Sequence, residues 1–454
     1  PHGEGPRVDR PRKGDVVRAT ESQSTTATKL KRIAWLSSRD EHKPFDSLMH
    51  HFNVGSLEEC FRQLDGRKAV GIDGVTKAEY AEGLDENLQD LVHRMKRMAY
   101  GPEPVRQVRI PKEGQPQATR ALGISVLEYK IVQKMMHRVL ESIYEPLFLE
   151  SSYAFRPDRG AHTAIHALHQ HLFRSHVETV VDVDLAGYFD TVDHQLLAGI
   201  LAEKIQDERF MRYLHRMFKA GVLAEGELRV SEEGVPQGSS CSPILANIFA
   251  HYVIDVWIEE TVKPRCSGQV ALFRYADDLV ICCQHDGDAQ RILKALGKRL
   301  ERYHLRLNEE KTRSVPFSKR AYRRDRQPAA FDFLGFTFYW GLSQKGAVIP
   351  KLKSDGKRLR VKLKRVNEWA RGIRNRYRLS HIWKLFRAKL RGHIQYYGVS
   401  FNSVAVGKFV WEAVGILFKW LNRRSQRKSF TWEQFKRFIQ RHPLPHVRVC
   451  HPLF

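Results

Sequence analysis

The stretch Phe273 to Cys282, FRYADDLVIC, constrains this chain more than any other. An apolar run, Val270-Ala271-Leu272-Phe273, leads into it, Leu279-Val280-Ile281-Cys282 leads out, and two adjacent aspartates lie between. The pattern predicts a β-hairpin with Asp277 and Asp278 at its tip. Two like charges at the end of buried strands repel each other, and burying either is costly without a positive partner. A divalent cation is the obvious one. Taken alone, a solvated loop explains an Asp-Asp pair as well as a cation does, so the metal reading needs more carboxylate.

Thr179-Val180-Val181-Asp182-Val183-Asp184-Leu185 supplies it, as a β-branched run that predicts a buried strand with acids at its end. Asp184 with Asp277 and Asp278 gives three carboxylates from two adjacent strands, enough to hold two Mg²⁺ ions about 4 Å apart for nucleotidyl transfer. Oxygen donors suit Mg²⁺, which completes its shell with water and substrate phosphates. Asp182 faces the same side as Asp184 and competes with it. Asp190 and Asp193 fit turn formation and helix capping better than ligation. His162, His166 and His169 share a helical face, but no carboxylate or Cys completes a metal set, so a polar helix face is expected.

Lys+Arg 76 against Asp+Glu 51 leaves a net charge of +25, which is most simply explained by a polyanionic partner such as nucleic acid. Much of the excess lies between Lys351 and Arg376, where Lys357, Arg358, Arg360, Lys362, Lys364 and Arg365 meet only Asp355 and Glu368. A solvated helix normally mixes its charges, so this run predicts a groove for an RNA backbone. Trp383, Phe386, Tyr396, Tyr397, Phe401, Phe409, Trp411, Phe418, Trp420, Phe430 and Trp432 follow, mostly at core spacing, with some free to stack on bases. No stretch reaches the ~18 apolar residues of a membrane span, and the amino-terminal end has no signal-peptide pattern, so no membrane partner is expected. Six cysteines without paired spacing read as reduced thiols of a cytoplasmic protein, with the bacterial cytoplasm or nucleoid as the expected compartment.

Four regions are expected: a flexible basic extension over 1–44, an amino-terminal region over 45–178, a sheet domain over 179–350 carrying the acids, and a helical basic region over 351–454. The order of strands and helices predicts an α+β fold with helices on one face of the sheet.

VVDVDLAGYFDTVDH at 180–194, EEGVPQGSSCSPILANIF at 232–249, FRYADDLVI, LNEEKT at 307–312 and FDFLGFTF at 331–338 stand in the order and spacing of reverse transcriptase motifs. GIDGVT at 71–76, RALGIS at 120–125, SYAFRP at 152–157 and RGHIQYYGV at 391–399 agree. The chain resembles a group II intron-encoded reverse transcriptase/maturase. The resemblance implies a right-hand polymerase of fingers, palm and thumb with an antiparallel palm sheet. It favours Asp184 over Asp182 as the metal ligand beside Asp277 and Asp278. Lys112 and Arg120 match residues that grip the incoming triphosphate, Gln237 a nucleotide-pocket residue, and Phe189, with Tyr188 as the alternative, the bulky residue that excludes a ribose 2′ hydroxyl. Lys311 matches a proton donor to pyrophosphate. The implied partners are intron RNA or an RNA template, a DNA primer or target, and dNTPs. The chain departs from the family at RALGIS, PQGS and Ala186, each beside a site residue, and shows no paired-cysteine endonuclease pattern at its carboxy terminus. A free-standing reverse transcriptase in defence or repair, or an RNA-binding splicing factor with a vestigial polymerase site, are the alternatives.

Overall fold

The computed structural model describes residues 25–112, 115–224, 227–229, 233–234, 239–325, 329–424 and 430–454. A helix lies within the region expected to be flexible, before the boundary at 44. Helix α1 (Thr26–Arg39) starts at Thr25, whose side chain accepts from the Thr28 N–H. It buries Leu30 and Ile33, and Ser37 Oγ donates to the Ile143 carbonyl at 2.6 Å. Residues 1–24 lie outside the described set. Helices α2 (Val54–Gln63), α3 (Lys77–Glu82) and α4 (Leu84–Lys96) follow, burying the periodic positions Leu57, Cys60, Phe61, Leu88, Leu91, Val92 and Met95. Strands β1 (Val105–Lys112) and β2 (Gln115–Ile124) form an antiparallel hairpin. Helix α5 (Leu127–Tyr144) is buried along most of its length, and α6 (Ala161–Arg174) leads to the central sheet.

That sheet is fully antiparallel, in the order β6-β7-β3-β8. Between β3 (Thr179–Asp184) and the hairpin run α7 (His194–Ala202), α8 (Glu208–Phe218), the short strands β4 (Val222–Ala224) and β5 (Glu227–Arg229), and α9 (Ser242–Ala250). Beyond Ala250 the helix continues in wide π turns over His251–Asp255 and Trp257–Val262. Strands β6 (Val270–Tyr275) and β7 (Asp278–Cys283), helix α10 (Asp286–Glu301) and β8 (Arg313–Pro316) complete the sheet region. Alternation along each strand gives the sheet two faces. Val181, Val183, Leu272, Leu279 and Ile281 join a large core with α1, α2, α4, α5 and α7 to α10. Val180, Phe273, Val280, Cys282 and Val315 join a second core on the other side.

The second core corrects the expectation of helices on one face only. It combines α6 with another antiparallel sheet of β9 (Ala330–Phe333), β10 (Phe336–Leu342) and β11 (Val348–Ser354), in the order β11-β10-β9; helix α11 (Lys319–Asp325) precedes it. Leu334 at φ 50° and Gly335 at φ 82° close the β9–β10 hairpin, the two left-handed residues a tight two-residue turn requires. Strand β11 also crosses the boundary expected at 350. Val348, Pro350, Leu352 and Ser354 are buried and alternate with Ile349, Lys351 and Lys353, so the first two lysines of the basic run belong to a strand.

Asp355 caps α12 (Gly356–Ile373), accepting from the Lys357 N–H at 2.7 Å. Helices α13 (Leu379–Tyr397), α14 (Ser403–Leu421) and α15 (Trp432–Arg441) enclose a third core in which Trp383, Phe386, Phe409 and Phe435 are buried. Most of the downstream aromatics are thus packing residues, while Trp411 is 72% exposed. The described cysteines are free thiols. Among the described residues no helix is long and apolar enough to cross a membrane.

Candidate active site

Strands β3 and β7 are neighbours, and their register sets Asp184 directly opposite Asp278. Directly paired residues of antiparallel strands project from the same face. Here it is the face that carries Val180, Val280 and Cys282 into the second core. The hairpin turn is Ala276-Asp277, closed by the Tyr275–Asp278 pair. Only Asp277 therefore sits at the tip, and Asp278 is the first residue of β7. Ala276 has φ 58°, a conformation that glycine adopts freely and alanine does not.

The acids act on one another. The Asp278 carboxyl is pushed up to about 7, first by burial, then by the charge of Asp277; Arg358 opposes the rise, and Asp184 and Asp182 add to it. Asp182 is raised to about 6 by burial, against the pull of Arg313, whose Nε donates to Asp182 Oδ2 at 3.2 Å. Asp193 accepts from the Leu196 N–H at 2.8 Å as a helix cap and pairs with His304 at 2.9 Å. Asp190 lies in the single turn Tyr188–Asp190.

The LNEEKT segment docks on the end of β3. The Asn308 N–H donates to the Asp184 carbonyl at 2.8 Å, the Asp184 N–H donates to Thr312 Oγ1 at 3.3 Å, and Lys311 Nζ reaches Asp184 Oδ2 at 2.9 Å. Among the described residues no three His, Cys, Asp or Glu side chains are gathered as a closed ligand set. Asp184 pairs with Lys311. The donor chemistry nonetheless suits a hard cation, because the burial and neighbouring anions that raise Asp278 are offset by a positive ion beside it.

A family model described as "Reverse transcriptase (RNA-dependent DNA polymerase)" matches residues 110–338, half of the chain. The chain belongs to the reverse transcriptase family. Its curated relatives include Protein YkfC of Escherichia coli, 35% identical over 244 residues that cover 48% of this chain and 64% of the relative. The group II intron-encoded protein LtrA of Lactococcus lactis is 33% identical over 193 residues, covering 42% of this chain and 32% of the relative. The putative COX1/OXI3 intron 2 protein of Saccharomyces cerevisiae is 37% identical over 185 residues, covering 40% and 20%. The chain thus spans less than two thirds of the length of each of them.

Within this member of the family the remaining expected site residues separate. Tyr188 is buried in the core with its hydroxyl donating to the Ala246 carbonyl at 2.5 Å, so it cannot wall an open pocket. Phe189 is half-buried and stands edge-on to Tyr188 and to the exposed Phe155. Lys112 ends β1, and Arg120 lies opposite Ile110 in β2; their side chains, and Gln237 altogether, lie outside the described residues. On α12, Lys357, Arg358, Arg360, Lys364 and Arg365 are exposed. Lys362 is half-buried, with its ammonium 4.2 Å from the centre of the Tyr397 ring. Arg358 Nε lies 3.7 Å from Asp355 Oδ2, and its charge also bears on Asp278. His162 and His169 donate through Nε2 to the carbonyls of Tyr396 and Pro350 at 2.7 and 3.0 Å. They tie α6 to the carboxy-terminal part of the chain and do not form a solvated face.

Sequence reasoning missed the cation under the turn. Arg274, fully buried, donates to Asp255 through Nε at 2.6 Å and Nη2 at 2.5 Å, to Asn247 Oδ1 at 2.8 Å and to Ser152 Oγ at 2.7 Å. A signal was present, since Arg274 and Asp255 are lone charges inside apolar runs, and such charges are buried only in pairs.

Proposed function

We propose that this chain is an RNA-directed DNA polymerase that extends a DNA primer on an RNA template with dNTPs. The β6-β7-β3-β8 sheet serves as its palm, the β1–β2 hairpin belongs to the fingers, and α12 to α14 serve as the thumb. The observation that carries the reading is the register that sets Asp184 opposite Asp278 with Asp277 beside it at the turn. Asp184, Asp277 and Asp278 would hold a pair of Mg²⁺ ions. Bound there, the ions supply activation of the primer 3′ hydroxyl and stabilisation of the pyrophosphate leaving group.

The chain's own residues orient the substrate and handle its protons. Lys112 and Arg120 hold the triphosphate, the arginine by bidentate contact and the lysine as a point charge. Gln237 lines the nucleotide pocket, and Phe189 stands against the 2′ position of the sugar. Lys311, 61% exposed on its side chain, is free to leave Asp184 and give a proton to the departing pyrophosphate. Lys357, Arg360, Lys364 and Arg365 contact the phosphate backbone of RNA, with Arg358 and Lys362 at the edge of that surface. The relatives named as group II intron-encoded proteins support a further step: the chain binds an intron RNA, assists its splicing and copies it at a DNA target.

Substituting Asp277 and Asp278 together by Ala is expected to abolish cDNA synthesis while RNA affinity stays near that of the native protein. A double variant that still extends a primer on RNA would show the metal assignment to be wrong.

A further inference from the structure

We infer that Phe155 is a positioning residue for sugar selection, holding the Phe189 ring in place against the 2′ position of the incoming nucleotide. The inference rests on the reading of Phe189 as the residue that faces the sugar. Phe155 has φ 57°, a region that bulky side chains avoid for steric reasons. The residue is also 43% exposed, so hydrophobic burial does not explain the distortion.

The backbone on either side leaves it no choice. The Tyr153 N–H donates to the Arg274 carbonyl at 3.0 Å, and the Arg274 N–H donates to the Ser151 carbonyl at 2.8 Å. The buried Arg274 guanidinium holds Ser152 Oγ, and Asn247 Nδ2 donates to the Ala154 carbonyl at 3.3 Å. Arg156, itself buried, donates to the Leu149 and Ser152 carbonyls at 2.7 and 3.0 Å and to Glu145 at 2.9 Å. Between these anchors Phe155 is the residue turned outward, and strain kept at an exposed aromatic points to a use for the ring.

The ring meets Phe189. Their centroids are 6.1 Å apart with the planes at 83°, an edge-to-face contact. Phe189 also meets Tyr188 at 5.6 Å and 71°, and Tyr188 is fixed in the core by its hydrogen bond to Ala246. Phe189 is thus in contact with one ring held in the core and one strained ring. An apolar wall rejects an added hydroxyl only weakly, because it has no polar contact to lose and can give way. Discrimination between ribo- and deoxyribonucleotides by such a wall depends on its being unable to move.

The test compares kcat/KM for a dNTP and the rNTP of the same base, in the full chain on an RNA template with a DNA primer. The variants are Phe189→Ala, Phe155→Gly, Phe155→Leu and the double variant Phe155→Gly/Phe189→Ala. Phe155→Gly is expected to lower the dNTP-to-rNTP ratio about three- to tenfold, the worth of one edge-to-face contact, with Phe155→Leu between it and the native chain. Glycine is relaxed at this φ, so the thermal midpoint of Phe155→Gly stays level or rises, which separates lost selection from lost folding. Adding Phe155→Gly to Phe189→Ala should change the ratio no further. A native ratio in Phe155→Gly, with Phe189→Ala relaxed, overturns the inference and leaves the polymerase reading standing. A native ratio in Phe189→Ala removes Phe189 from the sugar and the inference with it. A further drop in the double variant shows that Phe155 acts directly and overturns the positioning role.

Discussion

Replacing Asp278 by Asn should make the metal-free protein more stable while ending its chemistry. The carboxyl is raised from 3.8 to about 7, chiefly by burial and by Asp277. A shift of about three pKa units corresponds to ~4 kcal/mol of penalty on the ionised form. Asp278 keeps part of its exposure, so solvent screening reduces the expected value to ~2 kcal/mol. The sign follows from linkage, because the folded pKa lies above the unfolded one. Below about pH 4 the group is protonated in both states and the penalty is absent; it grows as pH rises towards about 7 and is complete above that. Asn matches the side chain in size and carries no charge. Urea denaturation in the presence of a chelator should show Asp278→Asn more stable by ~2 kcal/mol near pH 8, with the gain vanishing near pH 4. Adding Mg²⁺ should stabilise the native chain and not the variant, since only a state that binds the ion gains from it. Parallel stabilities from about pH 4 to about pH 8, or a less stable variant near pH 8, would refute the argument that Asp278 is held charged against its surroundings.

Arg274→Met should cost about 3–5 kcal/mol in urea denaturation because it strands Asp255, and Arg274→Met/Asp255→Leu should recover most of the loss without recovering primer extension; a double variant as unstable as the single would count against the ion pair. Substituting Lys357, Arg360, Lys364 and Arg365 by Ala should flatten the salt dependence of RNA binding by about 0.7–0.9 log units per lost phosphate contact, and an unchanged slope measured by filter binding would remove α12 from the RNA surface. A Cβ on Gly398 would come within 2.5 Å of the Ile394 carbonyl oxygen and 2.6 Å of that of Arg448, so Gly398→Ala should destabilise the protein by roughly 2 kcal/mol or more and open the segment after α15 to proteolysis, which limited digestion would detect.

The central sheet was legible because its strands are β-branched runs whose period of two survives burial on both faces, and the acids end those runs. The docking of LNEEKT on β3 was not, since it depends on backbone groups of Asp184 and Asn308 that carry no residue-type signal. The network of Arg274 draws on Ser152, Asn247 and Asp255. Its members are as far apart as 122 positions, and no local window contains them. Strand β11 was hidden by its lysines: counted as charge they joined the basic run, whereas counted by alternation they mark the more exposed face of a strand. The same residue types carried two patterns, and burial decided between them.

The placement of positive charge ties these observations together. A strongly cationic chain has every opportunity to neutralise its own acids, and a carboxylate pair quenched by a buried arginine would hold a metal ion poorly. Arg274 lies directly beneath the turn, yet its donors are taken up by Asp255, Asn247 and Ser152. The charges acting on Asp278 are those of Asp277, Arg358, Asp184 and Asp182. Asp255 therefore lets a cation serve as a rigid strut for the hairpin without cancelling the field at its tip. The cations seen to touch these acids, Lys311 on Asp184 and Arg313 on Asp182, have exposed side chains, and such pairs are worth little and yield readily to a competing ion. Buried positive charge holds the site's shape, and removable positive charge occupies it. That division predicts that loss of Asp255 damages the site even though its carboxylate belongs to no substrate contact, because the released arginine would be drawn to the acids it now supports.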